Sequence, residues 1–271
     1  MSDKIAVIGT GMMGGAIIKS FLKGNYQGKI VAADFATQKL QELEALGVKV
    51  TTDNCKAAAG ADIVFVSVKP GDLKAVLQGI SKEVKGKLVI STAATVPLWF
   101  LKKQVPEAKV VRIMPNVAAL VQASYTAFCC DSDVTAEDKE KLKALLGMMG
   151  LCEEMDEKYM DAITGLSGSG PGYLSIIAEA LTYAGLKVGL PRNIAEKAAV
   201  QNMLGTAKLI LELPEHPAKI RDMVTTPGGT TIEAICELEG SGVRQALMRA
   251  VEQATKKSEL IREKVAPQEK H

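Results

Sequence analysis

Ile5-Ala6-Val7-Ile8-Gly9-Thr10-Gly11-Met12-Met13-Gly14 joins a short apolar run to a glycine-rich turn and then to a helical apolar pattern. An uninterrupted Ile/Val run reads as a strand buried on both faces. A G-x-G-x-x-G stretch that ends such a strand and opens a helix is the context required by the dinucleotide-binding fingerprint. Gly9 then makes the tight turn, Gly11 lets the backbone approach a pyrophosphate and Gly14 permits close helix–strand packing, with Thr10, Met12 and Met13 completing the loop. The plainer alternative is a coincidental glycine loop.

Working outward, apolar β-branched runs at 5–8, 30–33, 48–50, 63–67, 88–91 and 110–114 alternate with helical stretches at 13–22, 37–46 and 72–80. That alternation is the mark of parallel βαβ units. A further strand is expected at 125–130 and a closing amphipathic helix at 136–149. After about residue 156 strand-like alternation gives way to long helical periodicity punctuated by Gly and Pro, with helices expected at 171–187, 191–213 and 242–262. The fold class is therefore α/β, with a Rossmann-like NAD(P)-binding domain over 1–156 followed by an all-helical domain over 157–271. In the last helix Val243, Ala246, Leu247, Ala250, Val251 and Ala254 recur at helical spacing. Small residues in that stripe permit close helix approach and suggest interlocking with a second subunit; the alternative is a monomeric bundle.

Asp34 ends the second strand about twenty residues beyond the fingerprint, where an acid accepts hydrogen bonds from adenosine ribose hydroxyls. Its charge would repel a 2′-phosphate, and Phe35, Ala36 and Thr37 supply no Arg, so the position favours NADH. In the competing reading Asp34 points outward and Thr37, Gln38 or Lys39 reaches the phosphate.

Composition excludes several classes. Lys plus Arg (33) nearly cancels Asp plus Glu (31), without the basic runs that grip nucleic acid. The uncharged run 113–130 contains Pro115, Asn116 and Gln122, reading as strand and loop rather than a membrane span. Met1-Ser2-Asp3-Lys4 does not read as a signal peptide. The five cysteines form no C-x-x-C pair and read as reduced core thiols of a cytoplasmic protein, and the two histidines, His216 and His271, leave no metal-ligand cluster.

In the helical part, Pro227-Gly228-Gly229-Thr230-Thr231 precedes a helix start. A Pro-Gly-Gly turn exposes backbone N–H groups, two hydroxyls follow, and the helix presents its positive end, making a socket for a small carboxylate. An ordinary glycine-rich helix–helix turn is the alternative. With Asp222-Met223-Val224-Thr225-Thr226 before it and Lys257-Ser258-Glu259-Leu260 downstream, the stretch resembles the signature of pyrroline-5-carboxylate reductases. Ser67-Val68-Lys69-Pro70 resembles that family's cofactor-contacting segment, Asn54 a position near the adenosine, and Thr92-Ala93-Ala94 the loop under the nicotinamide. Val111-Arg112-Ile113-Met114-Pro115-Asn116 resembles the segment beside the nicotinamide, with Val117-Ala118 replacing the usual Thr-Pro. From the residues alone Arg112 reads either as an anion binder or as a structural ion-pair partner. Gly165-Leu166-Ser167-Gly168-Ser169-Gly170-Pro171-Gly172-Tyr173 resembles the family's start of the second domain, with Gly172 in place of alanine. The β-hydroxyacid dehydrogenases, by contrast, place a catalytic lysine where Leu174 stands.

The resemblance runs to about Leu260 and implies NAD(P)H-dependent reduction of 1-pyrroline-5-carboxylate to L-proline, the last step of proline biosynthesis. Many relatives use NADPH, a habit from which Asp34 departs. The residues then expected at the substrate are Thr230 or Thr231 on the imine nitrogen, Thr226, Gly228 and Gly229 on the carboxylate, and Ser169, Asn116 and Met114 nearby. Val68, Lys69, Pro70, Ala93, Ala94 and Asn54 are expected at the cofactor. A homodimer through the helical domain, and in many relatives a ring of dimers, is also implied. Two alternatives remain: reduction of another cyclic imine, and a non-catalytic nucleotide-binding regulator.

Overall fold

The computed structural model describes residues 3–213 and 215–267. Met1, Ser2 and His271, on which readings above draw, lie outside them. The order is β1 (Ile5–Ile8), α1 (Met12–Lys23), β2 (Ile30–Ala33), α2 (Thr37–Glu44), β3 (Lys49–Thr51), α3 (Asn54–Ala59), β4 (Ile63–Val66), α4 (Pro70–Gly79), β5 (Leu88–Ser91) and α5 (Leu98–Gln104). Then come β6 (Lys109–Met114), β7 (Ser124–Cys130), α6 (Ala136–Gly147), β8 (Gly150–Glu154) and α7 (Met160–Ile163). Helices α8 (Gly170–Lys187), α9 (Arg192–Glu212), α10 (Pro217–Met223), α11 (Thr230–Gly240) and α12 (Val243–Val265) complete the chain.

Among the described residues eight strands form one sheet in the order β3-β2-β1-β4-β5-β6-β7-β8. Strands β1 to β6 are parallel, and β1, β4 and β5 are buried throughout. Alternate residues serve opposite faces: Ile5 and Val7 join Phe21, Phe65 and Leu142, whereas Ala6 and Ile8 join Leu73, Leu77 and Val110. Burying each large apolar side chain contributes roughly 1.5–3 kcal/mol, so two such layers hold the sheet from both sides. Chain order reverses between β1 and β4, which puts a ligand crevice at the carboxyl ends of these strands. The last two strands, β7 and β8, run against the other six and parallel to each other. β7 runs antiparallel to β6, because the nine residues 115–123 between them form only a short 3-10 turn and are too few for a crossover helix.

The chain divides into two compact units, 3–169 with 252–267, and 170–251. In the second, α8 and α9 lie together, and a Cβ at Gly185 would come within 2.7 Å of Ala195 Cβ, so these helices meet at small residues. That unit lacks a large core of its own: among its described residues only Thr182, Ala195, Ala199 and Ile220 are buried. Ile176, Val200, Leu204, Leu211 and Met248 are exposed. Among the described residues no helix is long and apolar enough to cross a membrane. Cysteines depart from the expectation of core thiols: Cys129 is buried, but Cys55 and Cys236 are exposed.

Candidate active site

The fingerprint loop is built as glycine chemistry demands. Gly9 has φ +90°, and a Cβ there would lie 2.4 Å from Ser67 O; at Gly14 it would lie 1.9 Å from Gly9 O. A Cβ at Gly11, in contrast, would meet nothing within 4 Å. The protein closes on Gly9 and Gly14 and leaves the approach over Gly11 open. Gly11 is also the N-cap of α1 and brings no capping side chain, so the positive helix end is available to an anion. This cradle fits a dinucleotide pyrophosphate.

Asp34 leaves the end of β2 and turns back onto the loop. Thr10 N and Thr10 Oγ1 donate to its Oδ2 at 2.6 and 2.8 Å, and Ala36 N donates to Oδ1 at 2.9 Å. Burial pushes this carboxyl up, but those bonds and the Lys39 charge outweigh it and hold its pKa below that of an ordinary aspartate. Asp34 is therefore ionised at neutral pH and ties the loop to β2. Beside it opens a cleft of about 840 Å³ lined by Gly9, Gly11, Asp34, Asn54, Val68 and Lys69 among others. Asn54 is free to face it because Asp53 caps α3, accepting from Lys56 N at 3.0 Å. Pro70 opens α4, with Lys69 as its N-cap. Phe35, Lys39 and Cys55 also line the cleft; of these only Lys39 was singled out from sequence.

At the carboxyl ends of β5 and β6 the first unit assembles a second group. Thr92 Oγ1 donates to Ser67 Oγ at 3.1 Å, joining the ends of β5 and β4, and Ala93 N is held by Ser91 Oγ at 3.2 Å. Met114 covers Gly168, where a Cβ would lie 2.3 Å from Met114 Cε. Asn116 Nδ2 donates to Ser167 O at 3.1 Å while its Oδ1 accepts from Ala118 N at 3.0 Å. The segment Thr164–Gly168 is a π-turn, and Ser169 N closes it on Thr164 O at 3.0 Å. Single π-turns of this kind recur at functional sites. Asn116, Ser167, Ser169 and Met114 are thus neighbours, with the Asn116 amide engaged by protein. Arg112 is buried and paired with Glu157 at 2.9 Å, which takes up the ion-pair reading of this residue. Sequence reasoning missed Glu157 because it stands in a short polar turn with no periodicity to mark it.

In the second unit, Thr226-Pro227-Gly228-Gly229 is a type II turn: Gly228 has φ +67° and Gly229 N donates to Thr226 O at 3.0 Å. Gly229 N–H is thereby engaged, although carboxylate binding was expected of it. A Cβ at Gly229 would lie 2.4 Å from Thr226 Oγ1, so a side chain here would displace that hydroxyl. Gly229 caps α11 without a side-chain bond, and Thr230 and Thr231 form the helix's first turn.

Residues 157–261 match the family model described as pyrroline-5-carboxylate reductase dimerisation, and 4–95 match one described as NADP oxidoreductase, coenzyme F420-dependent. A pyrroline-5-carboxylate reductase of Synechocystis is 39% identical over 267 residues, covering 97% of this chain and 100% of that protein. The chain belongs to the pyrroline-5-carboxylate reductase family. A solved Coxiella burnetii reductase of this family is 31% identical with a TM-score of 0.88, covering 95% of this chain and 98% of that one. A Plasmodium falciparum pyrroline carboxylate reductase with NADP bound is 27% identical with a TM-score of 0.87, covering 95% and 97%. Membership in the pyrroline-5-carboxylate reductase family brings with it an NAD(P)-type cofactor and assembly through the helical domain.

Proposed function

We propose that this chain reduces 1-pyrroline-5-carboxylate to L-proline with NAD(P)H, completing proline biosynthesis in the cytoplasm. The observation that carries this reading is the presence, in one family member, of the open Gly11 cradle and the hydroxyl-rich Pro-Gly-Gly-Thr-Thr turn. Bound in the cradle, a reduced nicotinamide dinucleotide would supply the hydride for the imine carbon, while the ring nitrogen takes its proton from water. Gly9, Gly11 and Gly14 hold the pyrophosphate, and Asn54, Val68, Lys69 and Pro70 flank the adenosine side. Ala93 and Ala94 support the nicotinamide. Thr230 or Thr231 donates to the imine nitrogen; Thr226 and the N–H of Gly228 bind the carboxylate, joined by N–H groups of the first turn of α11. Met114, Asn116 and Ser169 hold the wall beside the reacting carbon. Such a reaction asks chiefly for orientation and exclusion of water, which fits a site with no general-base histidine.

The ionised Asp34 favours NADH, since a 2′-phosphate beside it meets like charge, while Lys39 in the same cleft offsets part of that repulsion. Five cysteines without a disulfide suit a reducing compartment. Initial rates of imine reduction with NADH and NADPH, followed by loss of nicotinamide absorbance, test the proposal. Turnover with NADH preferred is expected. NADPH preference would overturn the role given to Asp34, and no turnover with either cofactor would overturn the reaction itself.

A further inference from the structure

Arg112 lies in the middle of the sheet with 1% of its surface exposed. Its Nη1 donates to Glu157 Oε1 at 2.9 Å, and its Nη2 donates to Ala94 O. The same Glu157 Oε1 accepts from Leu98 N at 2.7 Å. That N–H opens α5, whose N-cap, Pro97, has no side-chain cap, so the carboxylate stands in for the missing cap at the helix's positive end. One ion pair, between a buried guanidinium and a half-buried carboxylate, thus grips both ends of the loop 94–98. Stability alone does not explain it. Burying the Arg112 guanidinium costs desolvation that its half-buried partner offsets only in part, and here Arg112 Nε and Thr95 Oγ1 are buried without a hydrogen-bond partner among the described residues.

We propose that Arg112 and Glu157 act as a charge-balanced brace that positions the Thr92-to-Pro97 loop, and through it the nicotinamide, for hydride transfer. The inference rests on the reading above that this loop carries the nicotinamide. Arg112 and Glu157 are positioning residues: they act through Ala94 O and Leu98 N. A guanidinium without its carboxylate would place net positive charge under a ring that itself becomes cationic on giving up hydride. The pair supplies the same hydrogen bonds at no net charge.

The chain carries one tryptophan, Trp99, next to Leu98 and half-exposed, so its fluorescence reports the brace without any turnover. In Arg112→Met, kcat is expected to fall about tenfold or more while KM for the cofactor stays within about threefold, the signature of misplacement rather than lost binding. Acrylamide should quench Trp99 more readily in the same protein. Arg112→Lys should recover part of kcat, since an ammonium reaches Ala94 O or Glu157 but does not fork to both. Should Arg112→Met fail to fold, Glu157→Gln decides: its amide oxygen still receives Leu98 N, so Trp99 should be little changed while kcat falls. A folded Arg112→Met with unchanged kcat, unchanged quenching, or a loss confined to KM overturns the brace, as does Glu157→Gln with full kcat. A wild-type protein inert toward the imine would sink the functional reading alone, leaving the quenching result to judge the brace.

Discussion

Glycines in the fingerprint divide by what surrounds them, and the division separates folding from binding. Gly9 and Gly14 face protein at sub-contact distances, whereas Gly11 faces open space. Gly9→Ala would force a residue to φ +90° against Ser67 O, a cost of roughly 1–3 kcal/mol from the dihedral alone. Gly11→Ala should leave the melting temperature unchanged yet weaken NADH binding about tenfold or more, because its methyl occupies the approach of the pyrophosphate. Melting curves and a cofactor titration on the two variants check this; equal destabilisation by both would remove the distinction. Asp34 gives a pH-dependent test. Its folded pKa is held below that of an ordinary aspartate, so its stabilising contribution is present above the unfolded pKa and is lost as the pH falls through the lower folded one. Asp34→Asn should therefore be less stable than the parent at pH 7, with the gap closing in acid, and should raise the NADPH-to-NADH rate ratio. A gap that does not narrow as the pH falls, up to the point of acid unfolding, would show that charge is not its origin.

Elements show where sequence patterns suffice and where they stop. β1, β2 and β5 fall where the apolar runs place them, since a strand buried on both faces has no other composition open to it. β8 left no readable trace: Gly150-Leu151-Cys152-Glu153-Glu154 sits at the sheet edge with Leu151 exposed, so burial imposes no pattern on it. A lone Asn at position 54 reads from residue type alone as a helix cap, but Asp53 fills that role in the structure. The π-turn at Thr164–Gly168 was equally hidden, because it depends on a distant partner: Asn116, 51 residues earlier, holds Ser167 O. Motif and family resemblance marked both segments, but only their juxtaposition shows Asn116 as a tie between them. Asn116→Ala leaves Ser167 O without that donor and should cost about 1–2 kcal/mol in denaturant unfolding, alongside reduced turnover. Stability unchanged within 0.5 kcal/mol, a margin of about the usual surface scatter, would show that the tie carries nothing.

The whole chain is not a finished folding unit when taken singly. Its first unit buries two apolar layers, but the second leaves Ile176, Val200, Leu204, Leu211 and Met248 open, and the stripe on α12 that periodicity marks as apolar includes Leu247, also exposed. Exposed apolar surface on this scale marks an interaction face, and the match to the family's dimerisation model over 157–261 identifies the partner as another copy of the chain. Assembly and stability are then one quantity, so the melting temperature should rise with protein concentration. Val200 offers a sharp version of the test, being 58% exposed in the single chain. If that surface faced water, Val200→Asp would change stability by no more than about 0.5 kcal/mol, as surface substitutions do. Facing a second subunit, it would bury an unpaired carboxylate, and that penalty is large enough to break the association. Sedimentation should accordingly find the parent protein free of monomer at micromolar concentration and the variant shifted to monomer with a lowered melting temperature; a variant that sediments and melts like the parent would place Val200 outside the interface.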